Sequence, residues 1–284
     1  MSATPVTNEC GVGVHDDIPE LTYHSLPGLS STGVKAMLDS PARYRWDSEH
    51  RVEKKAFDLG HAVHGKVLGV GLDIAVIPDD ALGANGATNT KVAKEFIAAA
   101  RAEGKVPVKS DVAAQVDAMA EAVLAHRDAR ALLEHGQPEV SLLWDDPDTG
   151  VRCRGRIDYV RANGLLVDLK TSGVTVNPRS WAATAARLGH GEQSVHYREG
   201  WHVLTGERAR MVHVLVETAE PHFVSVAELD DEFDLVAGER VRAAIDLYAK
   251  CLATDTWPAY PDGISRITPP RWYRAEPTDL YEEF

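Results

Sequence analysis

The 284-residue sequence has little cysteine, no long hydrophobic run and no excess of basic charge. Its three cysteines, Cys10, Cys153 and Cys251, are far apart and show no CxxC spacing, which excludes a disulfide framework, structural zinc and a cysteine-bound cluster. No stretch approaches the roughly 18 consecutive apolar residues that span a bilayer, and the first residues lack the segments of a signal peptide. We therefore expect a cytoplasmic protein with no membrane partner.

Basic charge is also scarce. The formal net charge is −13 at pH 7, from 30 Lys and Arg against 43 Asp and Glu. Affinity for a nucleic-acid backbone comes from Lys and Arg that neutralise phosphates, so a protein that coats nucleic acid through bulk charge is disfavoured. A local basic track remains compatible with this total. A cluster of carboxylates around divalent cations is compatible too, because each Mg²⁺ or Mn²⁺ offsets two negative charges.

The first half of the chain shows helical spacing. Ser30 or Ser31 can cap a first helix, and Pro41 marks its end. Further helical patterns then cover three stretches, 56–72, 91–103 and 112–127. The residues ahead of them, 1–20, lack periodicity and are expected to form a loose tail.

The pattern changes to strands near residue 136. Three alternating or apolar runs are separated by DDPDTG and ANG, both strong turn signals, and predict an antiparallel meander. Helical spacing returns over 178–204, two more strands follow, and a long helix comes last. We expect an α/β fold whose central mixed β-sheet contains this meander and is flanked by helices. Residues 21–284 would form a single domain, with a helical part over 29–135 and the sheet with its helices over 136–275.

The hairpin sequence GRIDYVRANGLLVDLKTS carries Asp158 in its first strand and Asp168 in its second. A two-residue turn at Asn163 and Gly164 would put the two aspartates on opposite faces. A three-residue loop that begins at Ala162 would pair them directly, with Gly164 in a left-handed bulge.

The apolar pattern favours the three-residue loop, because only that register places Ile157 on a shared buried face with Val167 or Leu169. Lys170 shares the face of Asp168, two residues away. Directly opposed carboxylates destabilise a sheet unless a cation holds them, and Mg²⁺ or Mn²⁺ suits such oxygen ligands. The alternative is a solvated polar face on which Lys170 compensates the negative charge.

Further pieces of sequence surround this hairpin in a particular order. Upstream, LSSTGVKAMLDSPARYRW is an S-x-S/T helix start that ends in a proline and an aromatic residue, and FDLGHAVHGKVL places His64 four positions after Gly60. Downstream, EQSVHY places Gln193 and Tyr197 four positions apart. Together with GRID and DLK, these pieces resemble the RecB-like branch of the PD-(D/E)XK nuclease superfamily. They look most like phage and prophage exonucleases of the exonuclease VIII (RecE) type, over about residues 21 to 275.

The resemblance implies a two-metal site on the hairpin and the upstream helix. Asp158 and Asp168 would be carboxylate ligands of two Mg²⁺ or Mn²⁺ ions, and the backbone carbonyl of Leu169 would add a further oxygen. His64 would complete one coordination shell through a ring nitrogen, with His61 as the competing ligand. The middle acid is an aspartate here, where many relatives have glutamate.

Lys170 completes the implied catalytic set. It would orient or deprotonate the attacking water or stabilise the transition state, since an ammonium crowded by metal ions can have its pKa lowered enough to act as a base. Two cations together would activate the water, neutralise charge on the transition state and help the leaving oxygen depart.

A second set of residues is predicted to touch DNA or to support the ligands, and it consists of Glu139, Arg156, Gln193, Tyr197, Ser30 and Ser31. The resemblance implies that Gln193 and Tyr197 face the site and contact nucleic acid, whereas their i, i+4 spacing alone would also fit a core contact. His190 and His196 are expected at the surface.

Three strand arginines share the predicted face of Asp158. Arg152, Arg154 and Arg156 could form a track for phosphates, although solvated arginines on a strand are the commoner case. Glu139 opens the first strand and is a candidate outer carboxylate.

The activity implied by the resemblance is a metal-dependent DNA exonuclease, acting 5′ to 3′ on double-stranded ends in phage recombination. It would be ATP-independent because the sequence has no P-loop, and it would contain no iron–sulfur cluster because that requires four cysteines. A homo-oligomeric ring, a single-strand annealing recombinase as partner and the host cytoplasm as location follow from the same resemblance. The alternatives are a catalytically silent DNA- or partner-binding module of the same fold and a structure-specific endonuclease.

Overall fold

The computed structural model describes residues 10–50, 59–71 and 73–269. Parts of the predictions lie outside these residues, namely the first nine residues of the expected tail, positions 56–58 and 72 of a predicted helix, and the chain from residue 270 onward.

Strands and helices of the described residues follow the predicted order, with helices in the first half and a sheet in the second. The strands are β1 (Gly13–His15), β2 (Ile74–Val76), β3 (Val106–Val108), β4 (Gly136–Asp145), β5 (Arg152–Arg161), β6 (Leu166–Ser172), β7 (Met211–Glu217) and β8 (Val224–Glu228). The α-helices are α1 (Glu20–Ser25), α2 (Ser31–Asp39), α3 (Pro41–Glu49), α4 (Leu59–Leu68), α5 (Lys91–Ala102), α6 (Ser110–Ala125), α7 (Arg127–Leu132), α8 (Pro178–Leu188), α9 (His190–Thr205) and α10 (Asp231–Thr254).

Six of the strands form one mixed sheet in the order β1-β4-β5-β6-β7-β8. The neighbours β4, β5 and β6 are antiparallel and make up the predicted meander. β6 and β7 are parallel, so the chain must cross over between them, and α8 and α9 provide that crossover. β8 returns antiparallel to β7. The predicted α/β fold with a central mixed sheet is confirmed.

Helices cover both faces of this sheet. One face packs against α2, α9 and α10 in a cluster that contains Met37 and Ile157. The other face packs against α4 and α6 through Val63, Met119 and Val167. Burying apolar side chains on both faces is the main source of stability for such a layered fold. No helix in the described part of the chain has both the length and the apolar character needed to cross a membrane.

Helix ends in the first half follow from local capping. The Ser30 hydroxyl accepts a hydrogen bond from the Gly33 backbone N–H at 3.1 Å and so begins α2. Pro41 does end this helix, but it also opens α3, because Ser40 caps the new helix and proline suits its first position. The chain therefore turns without a long loop.

Three short strands, β1, β2 and β3, were not predicted from the sequence. β1 lies within the expected loose tail, where it pairs with the outer edge of β4 and satisfies backbone groups that a bare edge would expose. Ile18, just after it, is buried. β2 and β3 form a small parallel sheet within the half that was expected to be entirely helical. Each of the three strands has only three residues, too few for a period-two pattern to be recognised.

Candidate metal-dependent active site

The loop between β5 and β6 sets the register of the hairpin. The Arg161 backbone N–H donates to the Leu165 carbonyl at 2.9 Å across a three-residue loop. Gly164 has φ +76°, a left-handed conformation that glycine adopts at little cost. The ladder pairs Tyr159 with Val167, and the same register brings Asp158 opposite Asp168. The predicted three-residue loop is confirmed.

The reason given for that register was wrong in one respect. Ile157 does not share a buried face with Val167 and Leu169, because it packs with Leu166 against the opposite layer of helices. Tyr159 is the β5 residue that packs with Val167 and Leu169. The turn itself, more than the apolar pattern, determines the pairing.

The β5–β6 ladder ends at the two aspartates. The last paired residues before them are Tyr159 and Val167, and beyond this point the Leu169 backbone N–H donates to Oδ2 of Asp158 at 2.7 Å. A side chain therefore replaces a backbone acceptor, and the strands separate. We refer to this opening, bounded by Asp158, Asp168 and Lys170, as the strand gap.

His64 reaches the strand gap from α4. Its Nε2 lies 3.2 Å from Oδ1 of Asp158, and its Nδ1 lies 3.1 Å from Oε1 of Glu139. The other candidate, His61, instead lies 3.2 Å from Oε2 of Glu20 and is half exposed. Of the two histidines, the structure brings His64 to the aspartates.

Glu139 has an unusual backbone conformation in β4. Its φ of +57° is left-handed, which costs a residue with a β-carbon on the order of 1 kcal/mol or more. The ladder pairs its neighbours Pro138 and Val140 with β5 but leaves Glu139 unpaired. Its carboxylate is turned toward His64 and also forms an ion pair with Arg156. Glu139 thus connects His64 to Arg156.

Asp168 is fully buried and only partly satisfied. Its Oδ1 accepts hydrogen bonds from Lys170 Nζ at 2.8 Å and from Gln193 Nε2 at 3.0 Å. Its Oδ2 is also buried and has no hydrogen-bond partner among the described residues. Leaving a charged oxygen without a partner is costly, so this atom identifies a position for a cation or another donor.

The charges of the strand gap shift one another's pKa values. Burial opposes the charged form of His64, but Asp158, Glu139 and Asp168 raise its pKa to about 9. Burial likewise opposes the charge on Asp158, yet His64, Lys170 and the Leu169 N–H hold its pKa below the usual value. Despite burial, Asp168 and Asp158 raise the pKa of Lys170. These two aspartates therefore favour the protonated form of Lys170. Crowding by metal ions would act in the opposite direction and favour a base.

Gln193 and Tyr197 differ in their relation to the site. Gln193 contacts Asp168 directly, whereas Tyr197 is buried with its ring against Gly155, where an added β-carbon would lie only 2.8 Å from the ring. The Tyr197 hydroxyl interacts with Ser31 and Gln193, and burial raises its pKa to about 12. Tyr197 was expected to touch nucleic acid, but its side chain is buried and its hydroxyl contacts Gln193 from the core side. Ser31 contacts the same hydroxyl.

The strand arginines form neither a free phosphate track nor a solvated row. Arg154 is buried and donates to the carbonyls of Gly28 and Tyr23. Arg156 donates to the Ile18 carbonyl at 3.0 Å in addition to its pair with Glu139. Arg152 forms an ion pair with Asp145. The carbonyl partners of Arg154 and Arg156 lie in the N-terminal segment, so these two side chains hold that segment against the sheet.

His190 and His196 were expected at the surface, and both are buried. Nε2 of His196 lies 3.2 Å from the carbonyls of Leu29 and Arg154. The reason is the position of α9 between the sheet, α2 and α10, which buries the helix on several sides.

Two residues near the strand gap were missed. Lys35 of α2 donates to the Leu188 carbonyl at 2.9 Å, and burial together with the charge of Lys170 lowers its pKa. His213 of β7 is the Cα partner of Asp168 in the parallel ladder. The only feature of the sequence that could have drawn attention to His213 is that it is a single histidine inside the apolar run RMVHVLVET.

The donor set of the strand gap fits a divalent cation of the Mg²⁺ or Mn²⁺ class. It offers an imidazole and two carboxylates, one of which has an oxygen without a hydrogen-bond partner. Over residues 10–50, 59–71 and 73–269, no group of three or more His, Cys, Asp or Glu side chains is already arranged to hold a metal ion. In this arrangement His64 and Lys170 form ion pairs with Asp158 and Asp168.

Comparison with known proteins agrees with this fold. The family model described as PDDEXK-like domain of unknown function (DUF3799) matches residues 30–268. A protein from Eubacterium rectale that carries exonuclease as a provisional name is similar in fold. Its TM-score is 0.56 at 12% identity, over 94% of this chain and 98% of that chain.

Two further solved structures align less closely. One is an alkaline exonuclease from Laribacter hongkongensis, with 16% identity over 69% of this chain and 90% of that chain, and a TM-score of 0.27. The other is a phage related exonuclease from Haemophilus somnus 129PT, with 15% identity over 70% of this chain and 97% of that chain, and a TM-score of 0.30. No curated protein matches the sequence.

Proposed function

This chain belongs to the family of PDDEXK-like domains, and on that premise we propose that it is a divalent-metal-dependent DNA exonuclease whose active site is the strand gap. The observation that carries the proposal is the meeting of His64, Asp158, Asp168 and Lys170 where β5 and β6 separate. These residues come from two separate parts of the sequence, α4 and the β5–β6 hairpin. A solvated hairpin face would not recruit a buried histidine from α4.

The ligands would be Asp158, Asp168, the carbonyl of Leu169, and His64 once it has lost its extra proton. Bound cations would supply positive charge for the transition state and a more acidic water for the attack on phosphorus. Two ions would be held by the same set of residues. Glu139 would hold the ring of His64, as the partners of metal-bound imidazoles commonly do.

Lys170 would act mainly as a fixed positive charge. Its ammonium lies 2.8 Å from Oδ1 of Asp168 and its side chain is only 22% exposed, so it is anchored beside this carboxylate. Positioned cations in a poorly solvated site stabilise negative charge that develops in a transition state. Gln193 would keep Asp168 in place from the other side.

The experiment is digestion of linear and covalently closed circular duplex DNA with Mg²⁺ or Mn²⁺. The variants are Asp168→Ala and Lys170→Ala, with Asp128→Ala as a matched control, because Asp128 is exposed and pairs locally with Arg127. The proposal expects progressive loss of linear DNA only, in the wild type and the control. Cleavage of the closed circle would instead indicate a structure-specific endonuclease, and binding without cleavage would indicate a silent module.

The finer features of the proposal rest on the family resemblance. They are 5′ to 3′ polarity, preference for double-stranded ends, independence of ATP, a homo-oligomeric ring, and action with a single-strand annealing recombinase in phage recombination. Duplexes labelled at one 5′ or one 3′ end test the polarity. Sedimentation of the full chain tests the ring, which requires a closed oligomer, whereas a monomer at working concentration would exclude it.

A further inference from the structure

Lys35 of α2 lies against the junction of the two helices that lead to Asp168. Its ammonium donates to the carbonyl of Leu188, the last residue of α8, at 2.9 Å. Its stem passes over Gly189, where an added β-carbon would collide with Cδ of Lys35. The Gln193 backbone N–H donates to the Gly189 carbonyl, and the Gln193 side chain contacts Asp168. Lys35 therefore packs on the first turn of the helix that carries Gln193 to the strand gap.

The position of Lys35 is determined by the packing of α2 on α9. Ser31 and Lys35 are four residues apart on α2 and so share a face of that helix. Ser31 contacts the hydroxyl of Tyr197, which lies four residues after Gln193 on α9. As α2 advances from Ser31 to Lys35, its contacts on α9 move back from Tyr197 toward the start of the helix. The lysine stem is thus laid along the face of α9 that leads to Asp168.

The ammonium of Lys35 has no carboxylate partner among the described residues. The negative charges that act on it are those of Glu192 and Asp168. Both carboxylates are already paired, Asp168 with Lys170 and Glu192 with Arg240. An ammonium has three N–H donors, and the Leu188 carbonyl takes one of them. Lys35 therefore retains donors and positive charge for something that is not part of the described chain.

A second positive charge close to Lys170 is unfavourable for the protein alone. Burial and the charge of Lys170 both lower the pKa of Lys35, which reflects this repulsion. Two ammonium groups in a partly desolvated position are stabilised when an anion binds near them. The chain has 43 acidic residues against 30 basic ones, so a basic pair of this kind is not a consequence of its overall charge.

We propose that Lys35 is a substrate-binding residue that holds a phosphate of the DNA backbone beside the strand gap. Lysine binds phosphate as a point charge, through N–H donors that are free to rotate toward it. Because the protein as a whole repels DNA, such an individual cation near the site is needed to hold the strand. The inference rests on the proposed function and adds a phosphate contact outside the set of metal ligands.

The test measures the affinity of the full-length protein for linear duplex DNA with a chelator present, over a range of salt concentrations. Lys35→Met removes the charge and keeps the stem, and Lys35→Arg keeps the charge. Lys94→Met is the matched control, because Lys94 is exposed on α5, which contributes no residue to the strand gap. Thermal unfolding establishes that each variant is folded.

Each phosphate contact adds about 0.7 to 0.9 to the slope of log affinity against log salt concentration. We expect the slope to become shallower by about this amount in Lys35→Met and to stay unchanged in Lys35→Arg and Lys94→Met. If Lys35 only fixed the Leu188 carbonyl, its loss would lower the Tm without changing the slope. An unchanged slope in folded Lys35→Met, or an equal loss in the control, would overturn the proposal.

A second measurement uses the wild type and applies even if Lys35→Met does not fold. Lysines are acetylated with and without duplex DNA, and the modified peptides are quantified by mass spectrometry. DNA should slow the modification of Lys35 but not that of Lys94. Equal rates at Lys35 under the two conditions would contradict the phosphate contact.

The two proposals can fail separately. A wild type that binds DNA with Lys35 protected, but cleaves none with Mn²⁺, would refute the nuclease and retain the phosphate contact. Cleavage by the wild type without protection of Lys35 would refute the contact alone. A wild type that binds no DNA would refute both.

Discussion

Asp146 and Asp168 are both buried aspartates, yet they differ in how many of their carboxylate oxygens accept hydrogen bonds. The Asp146 carboxylate accepts two hydrogen bonds from Thr149, one from the Thr149 backbone N–H at 3.0 Å and one from the Thr149 hydroxyl at 2.7 Å. Arg242 donates to both carboxylate oxygens of Asp146, at 2.8 and 3.0 Å. Asp168 has donors on Oδ1 only. Burial alone does not distinguish a structural acid from a functional one. The difference lies in whether the fold satisfies the charge or leaves part of it for something else.

The largest contrast is expected from Asp168→Asn, which keeps the shape of the side chain and removes its charge. Nuclease activity should fall by about 10³-fold or more, the scale seen when one essential catalytic group is removed. The free energy of unfolding should change less than in Asp146→Asn, because removing Asp168 also relieves its repulsion with Asp158. Initial rates of nucleotide release and urea unfolding measure the two effects. Full activity in this variant would contradict a functional difference between Asp168 and Asp146.

His196 is a buried ionisable residue that lies outside the strand gap, like Asp146. Burial lowers its pKa to about 4, below the usual 6.5 of histidine, so the unfolded chain takes up a proton at a higher pH than the folded protein does. Its contribution to stability is therefore complete above pH 6.5 and is lost as pH falls toward 4. At about 1.4 kcal/mol per pKa unit, the loss amounts to about 3 kcal/mol.

Urea unfolding at pH 7 and pH 4.5 measures this loss. His190 also has a lowered pKa, so the contribution of His196 is the difference between the wild type and His196→Asn. The variant should depend less on pH than the wild type does. Equal pH dependence of the two proteins would contradict the account.

Asp146→Asn should show the reverse of Asp168→Asn. Removing the charge breaks a bidentate pair with Arg242, whose guanidinium is about one-third exposed, so solvent compensates part of the loss. We expect a decrease of about 2 kcal/mol in the free energy of unfolding, below the range for fully buried pairs, with unchanged nuclease activity. Asp148→Asn is a suitable control, because Asp148 is exposed and lies 3.5 Å from the same arginine.

The smallest expected effect is stabilisation by metal. Mn²⁺ at tenfold its dissociation constant should raise the free energy of unfolding of the wild type by about 1.4 kcal/mol, since it binds the folded state only. Asp146→Asn should gain the same amount, and Asp168→Asn should gain less. Unfolding curves with Mn²⁺ and with a chelator provide the measurement. Equal gains in all three proteins would place the binding site elsewhere.

The features that the sequence could indicate are those encoded locally. The loop of Ala162, Asn163 and Gly164 opposes Asp158 to Asp168, although its sequence also allowed a two-residue turn. The spacing from Gly60 favoured His64 over His61, and His64 is the one that lies beside Asp158. These features depend on residues close together in the chain, so short patterns carry the information.

The rest depends on tertiary packing, which no local pattern records. The burial of Tyr197 against Gly155 and of His196 on α9 follows from a helix enclosed on several sides. The left-handed backbone of Glu139 follows from its pairing with His64 and Arg156. His213 lies beside Asp168 only because β6 and β7 are parallel neighbours in this register.

The central claim is that the strand gap is a metal-dependent nuclease site. The most direct test is the release of nucleotides from linear duplex DNA by the wild type, Asp146→Asn and Asp168→Asn, each with Mn²⁺ and with a chelator. The account predicts metal-dependent release by the wild type and Asp146→Asn, and none by Asp168→Asn. Release by Asp168→Asn at the wild-type rate, or an inactive wild type with Mn²⁺ present, would contradict it.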